Sequence, residues 1–236
     1  MINNKPEIPH CATCGSRHKS IFCNISNEEI DEIDNSKGCH FYNKGQVIFK
    51  EGHYTNGIYC VNKGKIKLYK DGPDGKEQII RFAKEGDIIG YRALLADEKL
   101  SASAKTLEET TVCFIPKSVL FDLLKKDFDL TQGVLKLLSH DIGEATKILT
   151  DMAQKPVRER VAEMLLLLKE TFSTDDEGFI NVKLSREEIA GMVGTATEST
   201  IRILSEFKKD RLIETSGKRI KITNLPQLTF VANVFD

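Results

Sequence analysis

The periodicity of apolar positions changes several times along the chain. Between Cys39 and Phe114 the apolar residues alternate in short segments at 47–49, 58–61, 66–69 and 78–82. Gly45, Gly52, Gly57, Gly64, Gly72, Gly75, Gly86 and Gly90 punctuate them. Short period-two segments with regular glycine turns predict strands that close into an all-β barrel or roll. Ahead of this region, Ser26 followed three residues later by Glu29 predicts a capping box opening a short helix over 25–36. Behind it, 117–126 reads as a helix, and a long helix is predicted over 127–153. The apolar positions of that helix are Phe128, Leu135, Leu138, Ile142, Ala145, Leu149 and Met152. From Leu135 onward they step by 3, 4, 3, 4 and 3 residues. An amphipathic helix lying on its own β-domain would also use such a stripe. The unbroken a/d stepping favours a coiled-coil seam between two chains.

The last third of the chain has helical period again. Pro156, expected at a first helical position, marks a domain boundary. Val157, Val161, Met164, Leu165 and Leu168 form the buried face of the next helix. A polar turn over 171–178 and a strand over 179–182 lead into Leu184-Ser-Arg-Glu-Glu-Ile-Ala-Gly-Met-Val-Gly-Thr-Ala-Thr-Glu-Ser-Thr-Ile-Arg-Ile-Leu204. Ser185 and Glu188 are spaced as a capping box, Ile189, Ala190 and Val193 give the helix an apolar face, and Gly194 ends it. Thr195 and Glu198 are spaced as a second box, and Ile201, Leu204 and Phe207 continue as the buried stripe of the second helix. Two short strands, 212–214 and 218–222, are expected around Ser216-Gly217. The pattern is a winged helix-turn-helix.

A helix-turn-helix lays its second helix in the major groove of DNA. The outward side of that helix carries Thr197, Glu198, Ser199 and Arg202. A carboxylate there can accept from cytosine N4, and a guanidinium can fork onto guanine O6 and N7. Ser185, Thr195 and Lys218 join them as candidate DNA contacts. Lys208, Lys209, Arg211, Lys218, Arg219 and Lys221 gather positive charge around the helix end and wing, opposed only by Asp210 and Glu214. Over 236 residues the net charge is −1, so binding to phosphate must come from local placement of charge rather than bulk basicity. Hydrophobic residues at 40% and charged residues at 29% describe an ordinary soluble chain of two modest domains. No apolar run approaches a membrane span, and the first twenty residues lack the apolar core of a signal peptide, so a cytoplasmic protein is expected.

The chain holds six cysteines, Cys11, Cys14, Cys23, Cys39, Cys60 and Cys113. Without an export signal, free thiols or a metal site using some of them are expected rather than disulfides. Cys39 and Cys60 have no partner spacing and read as structural. No His-x-His occurs, and no Ser-His-Asp set, phosphate loop or paired-acid constellation stands out, so an enzyme is not expected. Two other readings remain: a cupin-type metalloenzyme built on the β-barrel, and a β-roll regulatory subunit acting on a protein partner. A haem ligand among His10, His40, His53 and His140 has no supporting motif.

Five signatures in order resemble the CRP/FNR superfamily of bacterial transcription regulators. They are Lys44-Gly-Gln-Val-Ile-Phe-Lys-Glu-Gly52, Ile58-Tyr-Cys-Val-Asn-Lys-Gly-Lys-Ile66, Gly75-Lys-Glu-Gln-Ile-Ile-Arg-Phe82, Gly86-Asp-Ile-Ile-Gly90 and the helix-turn-helix above. The resemblance runs from about Cys11 to the end. It implies an α+β chain divided into a cysteine-containing segment over 1–24, a jelly-roll-like, cyclic-nucleotide-binding-like β-roll sensor over 25–126, a dimerisation helix over 127–153 and a winged helix-turn-helix over 154–236. It implies a homodimer on a two-fold symmetric DNA operator, with RNA polymerase as a further partner. Glu198 and Arg202 match the family's base-reading positions, Ser199 a phosphate-contacting one, and Thr197 and Ile201 positions that vary with operator. The cyclic-nucleotide branch uses Gly-Glu and then Arg-Ser to hold ribose and phosphate. Here Gly90-Tyr91 and Leu100-Ser101 stand instead, so cyclic AMP is not expected. Gly90, Tyr91, Arg92, Leu100 and Ser101 remain candidates for another effector. The oxygen-sensing branch holds an iron–sulfur cluster on three N-terminal cysteines and one in the β-roll. Cys11, Cys14, Cys23 and Cys113 match that set, with a longer gap before Cys23. A zinc set of Cys11, Cys14, Cys23 and His18, and reduced thiols holding no metal, stay open beside it.

Overall fold

The computed structural model describes residues 8–72 and 75–234. The first seven residues of the predicted N-terminal segment and the last two of the predicted C-terminal domain lie outside them. The chain divides into two compact units. Among the described residues, one comprises 8–70 and 80–142; the other comprises 71–72, 75–79 and 143–234. The division falls inside a single helix, α4, Phe128–Gln154.

In the first unit, α1 (Asn27–Ser36) opens on the predicted box: Glu29 N–H donates to Ser26 Oγ, and Ser26 N–H to the Glu29 carboxylate. Eight strands follow: β1 (Gly38–Tyr42), β2 (Val47–Phe49), β3 (Gly57–Lys63), β4 (Ile66–Asp71), β5 (Glu77–Ala83), β6 (Ile88–Ile89), β7 (Ser103–Thr106) and β8 (Thr110–Pro116). A short helix, α2 (Tyr91–Ala96), sits between β6 and β7, and α3 (Lys117–Lys126) follows β8. The strands form two four-stranded sheets, ordered β1-β8-β3-β6 and β2-β7-β4-β5. Period-two burial explains the roll. Phe49, Ile66, Ala83 and Ala104 of one sheet meet Val61, Ile89 and Val112 of the other in one apolar cluster. A second cluster, with Ile58, Ile88 and Ile115, is closed by Ile30 and Ile33 of α1, Tyr91 and Leu94 of α2, Leu120 and Leu123 of α3, and Leu130 of α4.

In α4 only Leu130 and Val134 are fully buried. Of the predicted seam, Leu135 (58% exposed), Ile142 (68%) and Leu149 (69%) face outward, as does Ala145. Leu138 departs from the seam and packs partly against the second cluster. Met152 is also shared: a Cβ added at Gly194 would lie 3.4 Å from its Cε.

The second unit continues with α5 (Val157–Phe172), α6 (Arg186–Val193), α7 (Thr197–Lys209), the hairpin β9 (Ile213–Ser216) and β10 (Arg219–Ile222), and α8 (Leu225–Ala232). Val161, Met164, Leu165 and Leu168 are buried along α5. Two expectations are corrected here. Pro156 is the N-cap of α5, not its first helical residue, because its backbone is extended. The strand expected over 179–182 reduces to one isolated bridge between Thr174 and Ile180. The Ile180 N–H is spent on the Ile220 carbonyl of the wing, and Val182 N–H bonds locally to Ile180 O, so no second ladder forms.

Candidate functional site

The helix-turn-helix is fixed by its ends. Ser185 N–H donates to Glu188 Oε2 at 2.8 Å, and Glu188 N–H to Ser185 Oγ at 3.1 Å, so α6 starts at a reciprocal cap. Gly194 takes φ +67°, a left-handed turn that costs glycine little and a Cβ-bearing residue more. The predicted second box does not form. Ala196, not Thr195, is the N-cap of α7, and no side chain caps it. Thr195 lies one residue too early. Glu198 still falls in the first turn, where the helix dipole favours a carboxylate.

The buried stripe of α7 is Thr200, Ile203, Leu204 and Phe207, so Ile201 is corrected to the outward face. Thr200 fits the stripe because its hydroxyl donates back to Ala196 O, 3.4 Å away. Glu198, Ile201 and Arg202 are exposed, while Thr197, Ser199, Thr195 and Ser185 are half-buried. Arg202 NH1 donates to Glu206 Oε1 at 2.9 Å. Glu206 Oε2 in turn accepts from Arg158 NH1 at 2.7 Å, and Arg158 NH2 reaches Asp210 at 2.9 Å. In the wing, Lys218 is exposed at the turn. Arg219, counted in the positive cluster, is engaged instead with Asp175 (2.7 Å) and Glu177 (3.1 Å) and stacks over Phe179. Sequence reasoning missed Arg186. Its NH2 donates to Gly217 O at 3.4 Å, and its buried NH1 has no partner among the described residues.

Residues 39–127 match the cyclic nucleotide-binding domain model, and residues 159–230 match the Crp-like helix-turn-helix domain model. The chain is 31% identical to the Fumarate and nitrate reduction regulatory protein of Vibrio cholerae, over 99% of this chain and 98% of that protein. This chain belongs to the CRP/FNR superfamily of transcription regulators. The regulator is also 31% identical to the Anaerobic regulatory protein of Haemophilus influenzae, over 92% of this chain and 85% of that one. Its fold is that of FixK2 from Bradyrhizobium japonicum, with a TM-score of 0.76 and 23% identity over 85% of this chain and 99% of that one. The regulator is a DNA-binding transcription factor and not an enzyme, and the cupin and regulatory-subunit readings give way.

In the first unit of this CRP/FNR regulator, a cavity of about 50 Å³ is lined by Cys11, Cys14, Cys60 and Cys113 together with Lys37, Ser16 and Asn62. Lys37 donates to Cys11 Sγ at 3.1 Å and is also paired with Asp34. Asp34 is partly buried, which raises its carboxyl, but Lys37, the Cys11 amide and His10 outweigh that and hold it well below the usual carboxylate range. Burial raises Cys11 above the ordinary thiol value despite Lys37. Cys14 is lowered: burial opposes this, but hydrogen bonds from Ser16, Arg17 and Asn62 prevail. Burial pushes Cys60 far up.

Cys39, Cys113 and Cys60 stand at one register across β1, β8 and β3. Cys39 and Cys113 are joined as a disulfide, which corrects the expectation of free thiols for these two, while Cys11, Cys14, Cys23 and Cys60 are free. Cys113 is therefore not free to ligate, and Cys23 does not line the cavity. Among the described residues no three His, Cys, Asp or Glu side chains are grouped to hold a metal ion. The cluster set Cys11, Cys14, Cys23 and Cys113 does not fit this arrangement, nor does the zinc set with His18.

Of the effector candidates, Gly90 and Leu100 lie side by side: a Cβ added at Gly90 would fall 3.8 Å from Leu100 Cδ2. Tyr91 is buried in the second core cluster and Leu100 between the sheets, while Arg92 and Ser101 are exposed. Gly90, at φ +82°, turns the chain into α2. Tyr91 donates its hydroxyl to Asp141 of α4, which also pairs with Arg81 at 3.1 Å. Burial, and then that hydrogen bond, raise Tyr91 well above the phenol range. These five residues do not line the thiol cavity, and two of them are core.

Proposed function

We infer that this regulator acts as a cytoplasmic homodimer on a two-fold symmetric operator and passes a redox signal from its β-roll to promoter DNA. The observation that carries the reading is the outward pair Glu198 and Arg202 on a helix anchored by a capped α6 and a wing. Ser185, Thr195, Thr197, Ser199 and Lys218 flank that pair as hydroxyl and ammonium donors for phosphate. The outward face of α4, with Leu135, Ile142, Ala145 and Leu149, supports a helix-to-helix seam. Among the described residues no helix is long and apolar enough to cross a membrane. RNA polymerase is the expected protein partner, by likeness to the family.

Redox sensing draws support from the thiol-lined cavity and from relatives described as anaerobic regulatory proteins. No step is assigned to a metal cluster. The sensing element is the thiol chemistry itself: a lowered Cys14, a raised Cys11 and Cys113, bonded to Cys39, all three lining one cavity. DNA affinity compared with and without a dithiol reductant tests this; equal affinity removes the cavity from sensing.

Arg202→Ala tests the DNA reading. A bidentate Arg–guanine contact is worth about 1–3 kcal/mol of discrimination, so operator affinity should fall by that amount and base preference should relax at one position of each half-site. Unchanged affinity and preference in a gel-shift titration would remove Arg202 from base reading.

A further inference from the structure

We propose that Glu206 is a specificity-determining residue that fixes which edge of Arg202 faces the bases. The proposal rests on the reading of Arg202 as a base contact. Arg202 and Glu206 are four residues apart on α7, so they share a face. The order is the weaker one for such a pair, since a carboxylate N-terminal to the cation suits the helix dipole better. An isolated exposed pair of this kind would hold its geometry poorly, because two long side chains must be ordered for little Coulomb gain.

Glu206 is ordered from the other side. Its Oε2 accepts from Arg158 NH1 at 2.7 Å, and Arg158 NH2 is held by Asp210 at 2.9 Å. The Arg158 guanidinium lies 4.7 Å from the ring centroid of Phe207, which is fully buried. Arg158 belongs to α5, so the carboxylate is pinned by a second helix and not by α7 alone. Its remaining oxygen, Oε1, takes Arg202 NH1 at 2.9 Å.

A guanidinium can meet guanine with either of two edges: the two terminal nitrogens, or Nε with one terminal nitrogen. With NH1 committed to Glu206, Nε and NH2 form the edge left for the bases. Glu206 also places negative charge beside the surface that meets phosphate, which weakens binding to every sequence alike. The residue thus exchanges general affinity for a defined reading edge.

The test uses the full-length protein, purified and assayed anaerobically, with a library of random-sequence duplexes selected on wild type, Arg202→Ala, Glu206→Ala, Glu206→Gln and Arg202→Ala/Glu206→Ala. The expected result is that Arg202→Ala and Glu206→Ala relax preference at the same base position, each by roughly tenfold. Glu206→Ala should also raise affinity for the unselected library and add nothing to discrimination in the Arg202→Ala background. Glu206→Gln keeps the shape and one acceptor oxygen, so it should shift the same position by less. If Arg202→Ala relaxes the preference and neither Glu206 variant does, Glu206 serves only as a helix-stabilising ion pair and the proposal is overturned while the base-reading role stands. If Arg202→Ala leaves the preference intact, both fall. Should Glu206→Ala not fold in a thermal melt, Glu206→Gln decides alone, and an unchanged preference overturns the proposal.

Discussion

Arg160 donates from Nε to the carbonyl oxygen of Val193, 3.1 Å away, at the last turn of α6. The same guanidinium reaches Met152 O at 3.1 Å and Lys155 O at 2.9 Å through NH1. One cation therefore ties the end of α4 and the α4–α5 link to the helix that carries the turn before α7. Carbonyls at and just past a helix end lack the next turn of N–H donors, and a charged side chain can satisfy them. Arg160→Ala is expected to cost about 1–3 kcal/mol, since hydrogen bonds from charged donors are worth more than neutral ones. Urea unfolding should show a lower midpoint with little change in slope, and an unchanged midpoint would contradict the assignment.

Acid should loosen the same region through Glu163. Burial raises its carboxyl, but Lys155 at 2.6 Å and Lys147 at 3.1 Å more than offset this and hold it below the ordinary value. A carboxylate with a depressed folded-state pKa stabilises fully above its unfolded value, about 4.3, and that stability is lost as pH falls through the folded value. Wild type should therefore lose stability more steeply than Glu163→Gln between about pH 5 and pH 3. Parallel pH dependence in urea midpoints would rule out the triad as the cause.

The three free thiols that line the cavity, Cys14, Cys11 and Cys60, should react in a fixed order among themselves. Cys14 is half-exposed and lowered by its hydrogen bonds, Cys11 is raised by burial, and Cys60 is raised much further. Because the thiolate is the nucleophile, iodoacetamide near neutral pH should modify Cys14 first, Cys11 later and Cys60 last. Mass spectrometry of peptides from a timed quench reads the order, and early labelling of Cys60 would show that its burial does not protect it.

Local signals carried much of this architecture. The Ser185–Glu188 and Ser26–Glu29 spacings became real caps, and Gly194 ended α6 where a left-handed residue was needed. The step rule in α4 marked Leu135, Ile142 and Leu149, which are exposed. The misses have physical reasons. Thr200 is polar, so the stripe of α7 was drawn through Ile201, although a threonine that bonds its own helix can occupy a core position. Thr195 failed as a cap by one residue, a shift that spacing alone does not resolve. Cys39 and Cys113 are 74 residues apart and meet only through strand register. The Arg81–Asp141 pair, 60 residues apart, is equally invisible to a local pattern.

The most direct test of the central claim is the mass and footprint of the protein–DNA complex, measured by sedimentation and by hydroxyl-radical cleavage on a duplex selected by the wild-type protein. Two chains should bind one duplex and protect two symmetric stretches about 34 Å apart on one face. Leu149→Asp, which puts a charge on the exposed seam, should sediment as one chain and lose the paired footprint. One wild-type chain per duplex, or a Leu149→Asp variant that still binds as a pair with wild-type affinity, would contradict the account.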